Sequence, residues 1–194
     1  MTQSLRRNTI YKKGELLIMK QKVQDALNGQ LNWELYSAYI YLSMSAYFES
    51  LNLKGFANWM RVQTQEEMVH AMKFYSYITN RGGKVIMASI SGPHIDWNSP
   101  LAAFEEAYVH EKGVTERINK LVDLSLEEKD YQTNNFLQWF VNEQIEEESS
   151  VDEISKKLIL IGKDGSALLY IDNELAQRVF TPPVPAGDPG AKPA

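Results

Sequence analysis

The sequence predicts an all-α protein: a four-helix bundle of long helices with one long crossover and a short C-terminal fifth helix. Three observations support this. Apolar residues recur at helical spacing from Met19 to Ile161. Helix breakers are nearly absent there, since five of the seven prolines (Pro182, Pro183, Pro185, Pro189, Pro193) fall in the last 14 residues. Only Val85 to Ile90 reads as extended, and it lies in a connection.

The first helix is expected over 19–49 and the second over 54–81, stopped by Gly82-Gly83. The third begins at Ser99-Pro100, a capping residue followed by proline at the first helical position, and runs to 129. Asp130 caps the fourth, which ends at Gly162. A short fifth helix fits 166–178. Gly29 and Gly113 each cost about 1 kcal/mol against alanine, which long helices tolerate. The short links between helices one and two, and three and four, make antiparallel pairs. The long link, Gly82 to Asn98, can traverse the bundle and set the second and third helices parallel.

Residues 19–180 thus form the expected domain. Residues 181–194 are Pro/Gly/Ala-rich and read as a disordered tail. Residues 1–18 carry Arg6, Arg7, Lys12 and Lys13 against Glu15 and show no helical stripe. They read as a disordered or non-native extension ahead of a start at Met19, or else as a basic arm.

With 44% hydrophobic and 23% charged residues the composition is globular, and the net charge of −5 argues against coating nucleic acid. No cysteine is present, which excludes disulfides, Cys-ligated zinc, iron–sulfur clusters and a thiol nucleophile. The longest apolar run near the N-terminus, Leu16 to Met19, is too short for a membrane span or an export signal. A cytoplasmic protein is expected.

Core positions of a long bundle repeat every seven residues and should be apolar. The stripes are Leu27, Glu34, Tyr41, Phe48; Met60, Glu67, Phe74; Phe56, Gln63, His70, Tyr77; Phe104, Glu111, Ile118; Leu137, Gln144, Val151, Leu158; and Phe140, Glu147, Ile154, Ile161. Each of the four long helices places a carboxylate on its stripe near mid-length. A solvated face explains Glu127, Glu128, Lys156 and Lys157, but not these. Buried carboxylates without partners cost several kcal/mol each, and no Lys or Arg shares their stripes. A bound cation pair is the economical counter-charge. An oxygen-rich set with one imidazole suits iron or manganese in a bundle.

At this point the motifs resemble a known family. Asn32-Trp-Glu-Leu-Tyr-Ser-Ala38, Gln65-Glu-Glu-Met-Val-His70, His110-Glu111 and Phe136-Leu-Gln-Trp-Phe-Val-Asn-Glu-Gln-Ile-Glu-Glu-Glu148 are similar to the non-haem ferritins of bacteria and archaea. Leu53 to Met60 and Phe180 to Pro183 look nearest the archaeal branch. The similarity spans about 19–183 and implies a ferritin-like bundle. It further implies an iron-storage ferroxidase that oxidises Fe(II) with dioxygen and keeps ferric mineral in a shell of 24 subunits built from antiparallel dimers.

The resemblance also assigns residues. Glu34, Glu67 and His70 would bind a first iron. Glu67 would bridge to a second held by Glu111, with Gln144 and Glu147 nearby. Glu66, Glu143 and Glu146 match outer carboxylates of a third iron site sharing Glu147. Tyr41 matches a tyrosine that can donate an electron, or else is a core aromatic. Trp139 is expected to pack, and His110 to be structural or on the surface.

Departures narrow the reading. Bacterioferritins carry a second Glu-x-x-His on the fourth helix, where this chain has Gln144 and Glu147. Met68 stands at their haem-binding position, but non-haem relatives share that methionine, and haem is not expected. Asn134 and Leu137 replace the acids that line animal ferritin pores. A rubrerythrin-type peroxidase would need a Cys-bound iron. A soluble di-iron oxidase or peroxidase without mineral storage is the alternative.

Overall fold

The computed structural model describes residues 19–182, which form five α-helices and no strand. They are α1 (Gln21–Ser50), α2 (Lys54–Asn80), α3 (Pro100–Glu127), α4 (Tyr131–Ile161) and α5 (Gly165–Leu175). The expected extension, 1–18, and all of the expected tail beyond residue 182 lie outside the described residues. No described helix is long and apolar enough to cross a membrane.

Helix ends follow the local chemistry. Ser99 Oγ accepts from Ala102 N at 3.1 Å with Pro100 next to it, and Asp130 Oδ1 accepts from Thr133 N at 3.1 Å. Asp164 Oδ1 accepts from Ser166 N and Ala167 N, which starts α5. Each such cap contributes about 1 kcal/mol. The fifth helix stops at Leu175, three residues short of the expected end. Asn58 Nδ2 draws off the carbonyls of Leu175, Ala176 and Arg178, so the chain leaves the helix there.

Contacts at the helix ends set the topology. Lys20 Nζ donates to the Glu128 carbonyl at 2.8 Å, which joins the start of α1 to the end of α3. Arg81 grips both Asp130 oxygens at 3.0 and 3.2 Å, which joins the end of α2 to the start of α4. The two hairpin pairs therefore stand side by side with α2 and α3 parallel. The crossover runs up α1: Lys84 N bonds Gln24, Ile86 N bonds Asn28, and Ser43 bonds the His94 carbonyl. Val85 to Ile90 pairs with no strand.

The α5 helix sits against the start of α2. Asp172 Oδ1 accepts from Gly55 N at 2.7 Å and Phe56 N at 3.0 Å, so a residue of α5 serves the open end of α2. Only glycine permits this approach, because a Cβ at Gly55 would lie 1.6 Å from the Asp172 carbonyl oxygen.

The core falls into two apolar layers. One, at the α5 end, holds Tyr41, Phe48, Phe56, Met60, Phe104, Val151 and Leu158. The other, at the Asp130 end, holds Leu27, Leu31, Phe74, Ile78, Ile118, Leu137 and Phe140. All stripe residues are buried except Tyr77 and Ile161, which are half-buried. Ile40, next to the stripe's Tyr41, is also buried in the first layer, while Tyr39 and Leu42 are exposed.

Candidate metal centre

Between the two apolar layers lies a polar belt. Glu34 from α1, Glu67 and His70 from α2, Glu111 from α3, and Gln144 and Glu147 from α4 are all 5 % exposed or less. The heptad register puts them at one level because each stands seven residues from an apolar stripe member on its own helix.

Ligand atoms of Glu34, Glu67 and His70 lie within 4.8 Å of one another, and so do those of His70, Glu143 and Glu147. His70 Nδ1 is 3.4 Å from Glu67 Oε2 and its Nε2 is 3.9 Å from Glu143. Glu111 stands outside both groupings. The Tyr41 hydroxyl donates to its Oε1, and Gln144 Nε2 donates to its Oε2 at 3.2 Å. Glu66 is ion-paired with Arg178 at 2.5 Å, and Glu146 is exposed. Trp139 packs edge-on against His70 with ring centres 5.4 Å apart, beneath the Lys73 ammonium.

Burial dominates the electrostatics of the belt. Burial pushes the Glu67 carboxyl up to about 8 and Glu147 up to about 7. Burial likewise raises Glu34 and Glu111, and it raises Glu66 despite Arg178. Burial pulls His70 down, but Glu143 and Glu67 outweigh it and leave the imidazole above its usual range. Burial, then the Glu111 charge, lifts the Tyr41 hydroxyl well above the usual tyrosine range. Two carboxylate oxygens, Glu34 Oε2 and Glu67 Oε2, are buried without any hydrogen-bond partner. Buried acceptors are seldom left so. Both belong to the Glu34–Glu67–His70 group, so the donor set fits a hard divalent or trivalent ion.

His110 stands apart from the belt. Its Nε2 is 2.8 Å from Ser37 Oγ, its ring stacks on Trp33 at 5.7 Å, and burial lowers it to about 4. A neutral ring in an aromatic nest is a packing element. His94 is half-exposed in the crossover beside Glu106.

Among the residues touching the belt's carboxylates or their partners, Gln30, Gln63, Arg117 and Arg178 have no role in the sequence reading. Gln63 sits on the α2 stripe between Phe56 and His70, so its polarity was a signal. Arg117 and Arg178 share no stripe with the belt and reach it from outside the bundle seam. Nothing in the periodicity marks them.

Comparison with known proteins identifies the family of the fold. The family model described as a ferritin-like domain matches residues 24–161. A bacterial non-heme ferritin of Bacteroides fragilis is 41% identical over 161 residues, covering 83% of this chain and all of the relative. One from Staphylococcus aureus is 37% identical, covering 84% and 98%. The open-pore ferritin of the archaeon Archaeoglobus fulgidus superposes with a TM-score of 0.83 at 54% identity, covering 83% of this chain and 99% of that one. An engineered closed form of the same ferritin gives 0.83 at 55% identity.

Proposed function

Because the chain belongs to the ferritin family, we propose that it is an iron-storage ferroxidase whose substrate irons are oxidised in the polar belt. The observation that carries this reading is that two buried carboxylate oxygens without a hydrogen bond, Glu34 Oε2 and Glu67 Oε2, belong to the clustered Glu34–Glu67–His70 group.

In this reading Glu34, Glu67 and His70 hold one Fe(II). Glu67 is shared with a second, toward Glu111 and Glu147, with Gln144 holding Glu111 in place. Each ferrous ion gives up one electron and dioxygen takes the pair. The chain's own part is to bind, orient and exclude water. The two apolar layers seal the belt along the bundle axis. The raised carboxyl groups release their protons as iron enters, so uptake is coupled to proton loss. Tyr41 keeps its proton, donates it in a hydrogen bond to Glu111, and stands where it can supply an electron. Glu143, with Glu66 and Glu146, forms the outer carboxylate set for a third iron that shares Glu147. Arg178 holds Glu66 through Oε2, so Glu66 Oε1 is the oxygen left for that set.

Storage needs an enclosed volume, which one subunit lacks. Tyr39 and Leu42 on α1, and Met68, Met72 and Tyr75 on α2, are large exposed apolar groups that self-association would bury. The reading is an antiparallel dimer assembled into a shell of 24 subunits, without haem. Aerobic titration with Fe(II), followed by gel filtration and light scattering at low and high salt, tests it. Fast oxidation with a retained ferric core in a large particle is expected. A one- or two-subunit species with no core would leave a soluble di-iron oxidase.

A further inference from the structure

Two buried amides, one on α1 and one on α2, serve the belt in the same way. Gln30 on α1 is 1 % exposed, and its Nε2 donates to Glu34 Oε1 at 2.9 Å. Its Oε1 accepts from Arg117 Nε at 3.1 Å. Gln63 on α2 is fully buried, and its Nε2 donates to Glu147 Oε2. Its Oε1 accepts from Arg178 Nη1 at 2.9 Å. Arginine can only donate and a carboxylate can only accept, so each amide has one allowed orientation: nitrogen toward the glutamate, oxygen toward the arginine.

The arginines are themselves anchored alike. The Arg117 guanidinium lies 4.3 Å from the Trp33 ring centre and donates to the Gly29 carbonyl at 3.3 Å. The Arg178 guanidinium lies 4.3 Å from the Trp59 ring centre and donates to the Trp59 carbonyl at 3.3 Å. Each order is the same: tryptophan face, arginine, glutamine, glutamate. The result at Glu34 is explicit, since one oxygen is taken by Gln30 and the other, Oε2, is left free.

The two chains of contacts differ in what supports the arginine. Arg117 is built into the middle of α3. Arg178 lies beyond the end of α5, on a segment held by Asn58 Nδ2 through the Arg178 carbonyl at 2.9 Å, and it also pairs with Glu66.

We propose that Arg117–Gln30 and Arg178–Gln63 are two independent positioning relays, one for each iron, which hold Glu34 and Glu147 so that one carboxylate oxygen of each is presented to its ion. The proposal rests on the paired-site reading above. The relays lend positive charge to the belt while holding both guanidinium groups one amide away from Glu34 and Glu147. An ammonium or guanidinium within the belt would compete with the metal for the same oxygens. The amide transmits orientation and polarisation instead.

Anaerobic titration with Co(II), followed by the visible d–d spectrum, tests the relays on the assembled protein. The parent should bind two ions per subunit with resolvable signatures. Gln30→Leu should weaken one ion by about 10-fold or more and Gln63→Leu the other, the range typical of partners behind metal ligands. Arg117→Gln should weaken the same ion as Gln30→Leu, and the double variant should be no worse than Gln30→Leu alone. Arg178→Gln should stand in that relation to Gln63→Leu. Losses across the two relays should add. If Gln63→Leu fails to fold, Gln63→Glu keeps the volume and the acceptor for Arg178, but cannot donate when ionised and should show the same loss.

Parental affinity for both ions in all single variants would overturn the relays. So would equal weakening of both ions by either variant, or additive effects within one relay. A parent that binds fewer than two Co(II) ions would overturn the paired-site reading, and the relays with it.

Discussion

At the α5 end of the bundle, Phe48, Phe56 and Phe104 interlock with ring centres 5.1–6.0 Å apart. At the other end, Phe74 and Phe140 meet at 4.4 Å, and Tyr77 stacks on Phe136 at 4.0 Å. Between these layers, Glu34, Glu67, Glu111 and Glu147 share a belt that is just as buried and has only partial hydrogen bonding. The layers gain free energy by excluding water, at about 25 cal/mol per Å² of apolar surface. The belt loses free energy by the same exclusion, because its groups prefer to be charged and hydrated. One helix set supplies both. The layers therefore hold the fold, and the belt costs it free energy that a bound ion would offset.

The sharpest way to break this contrast is to change the belt without changing its volume. Glu67→Gln removes the shared charge and keeps the size. Fast ferrous oxidation, followed by stopped-flow absorbance, should fall by more than the roughly 100-fold that loss of an outer partner can cost. The metal-free Tm above pH 8 should hold or rise, since a buried carboxylate no longer has to ionise. Oxidation at the parental rate would place the reaction elsewhere.

The opposite substitution belongs in a layer. Phe104→Ala removes a fully buried ring from the α5-end cluster and should cost about 3–5 kcal/mol in chemical denaturation of the metal-free protein. At low temperature, where the fold survives, iron oxidation should persist. A loss of activity with unchanged stability would erase the division of labour between layer and belt.

Proton linkage sharpens the belt's side of the comparison. Glu67 is raised to about 8 and Glu147 to about 7 from an ordinary 4.5. Folded-state values above the unfolded ones mean a contribution fully present below pH 4.5 and lost as pH rises through 7 and 8. His70 is raised and adds in the same direction. Metal-free protein should therefore lose Tm between pH 5 and about 8. Zn(II), a redox-inert stand-in, should restore it, with a gain that grows over the same window as ligand protons become easier to displace. A Zn(II) shift independent of pH would contradict the raised carboxyl groups.

The smallest effect concerns the seam between α5 and α2. Asp172→Ala removes the acceptor for Gly55 N and Phe56 N and should cost about 1 kcal/mol, as helix-cap losses do. Because Arg178 follows α5, this variant should also loosen the second Co(II) ion slightly and leave the first unchanged.

Much of this molecule was legible along the chain, for reasons particular residues make plain. Ser99-Pro100 and Asp130 set helix starts through local hydrogen bonds that need no tertiary partner. The seven-residue repeat carried Glu34, Glu67, His70, Glu111, Gln144 and Glu147 to one level because a helix converts spacing into a face. Ile40 is buried at the edge of the α1 stripe, where burial depends on the neighbouring helix rather than on periodicity. The end of α5 was misread because Asn58, more than a hundred residues earlier, captures its last carbonyls.

By itself, then, the sequence determined the four long helices, their pairing and the polar level they share, since each depends on residues a few positions apart. Only the tertiary structure decided how that level is finished. Glu34 and Glu67 keep oxygens with no partner, and Glu66 turns to Arg178. Arg117 and Arg178 reach Glu34 and Glu147 through Gln30 and Gln63; Gln30 and Glu34 are one helical turn apart, but the other three links span 84 to 115 residues. Hydrogen bonds and desolvation act at a few ångströms in space, and no pattern along the chain records which distant side chains folding will bring within that range.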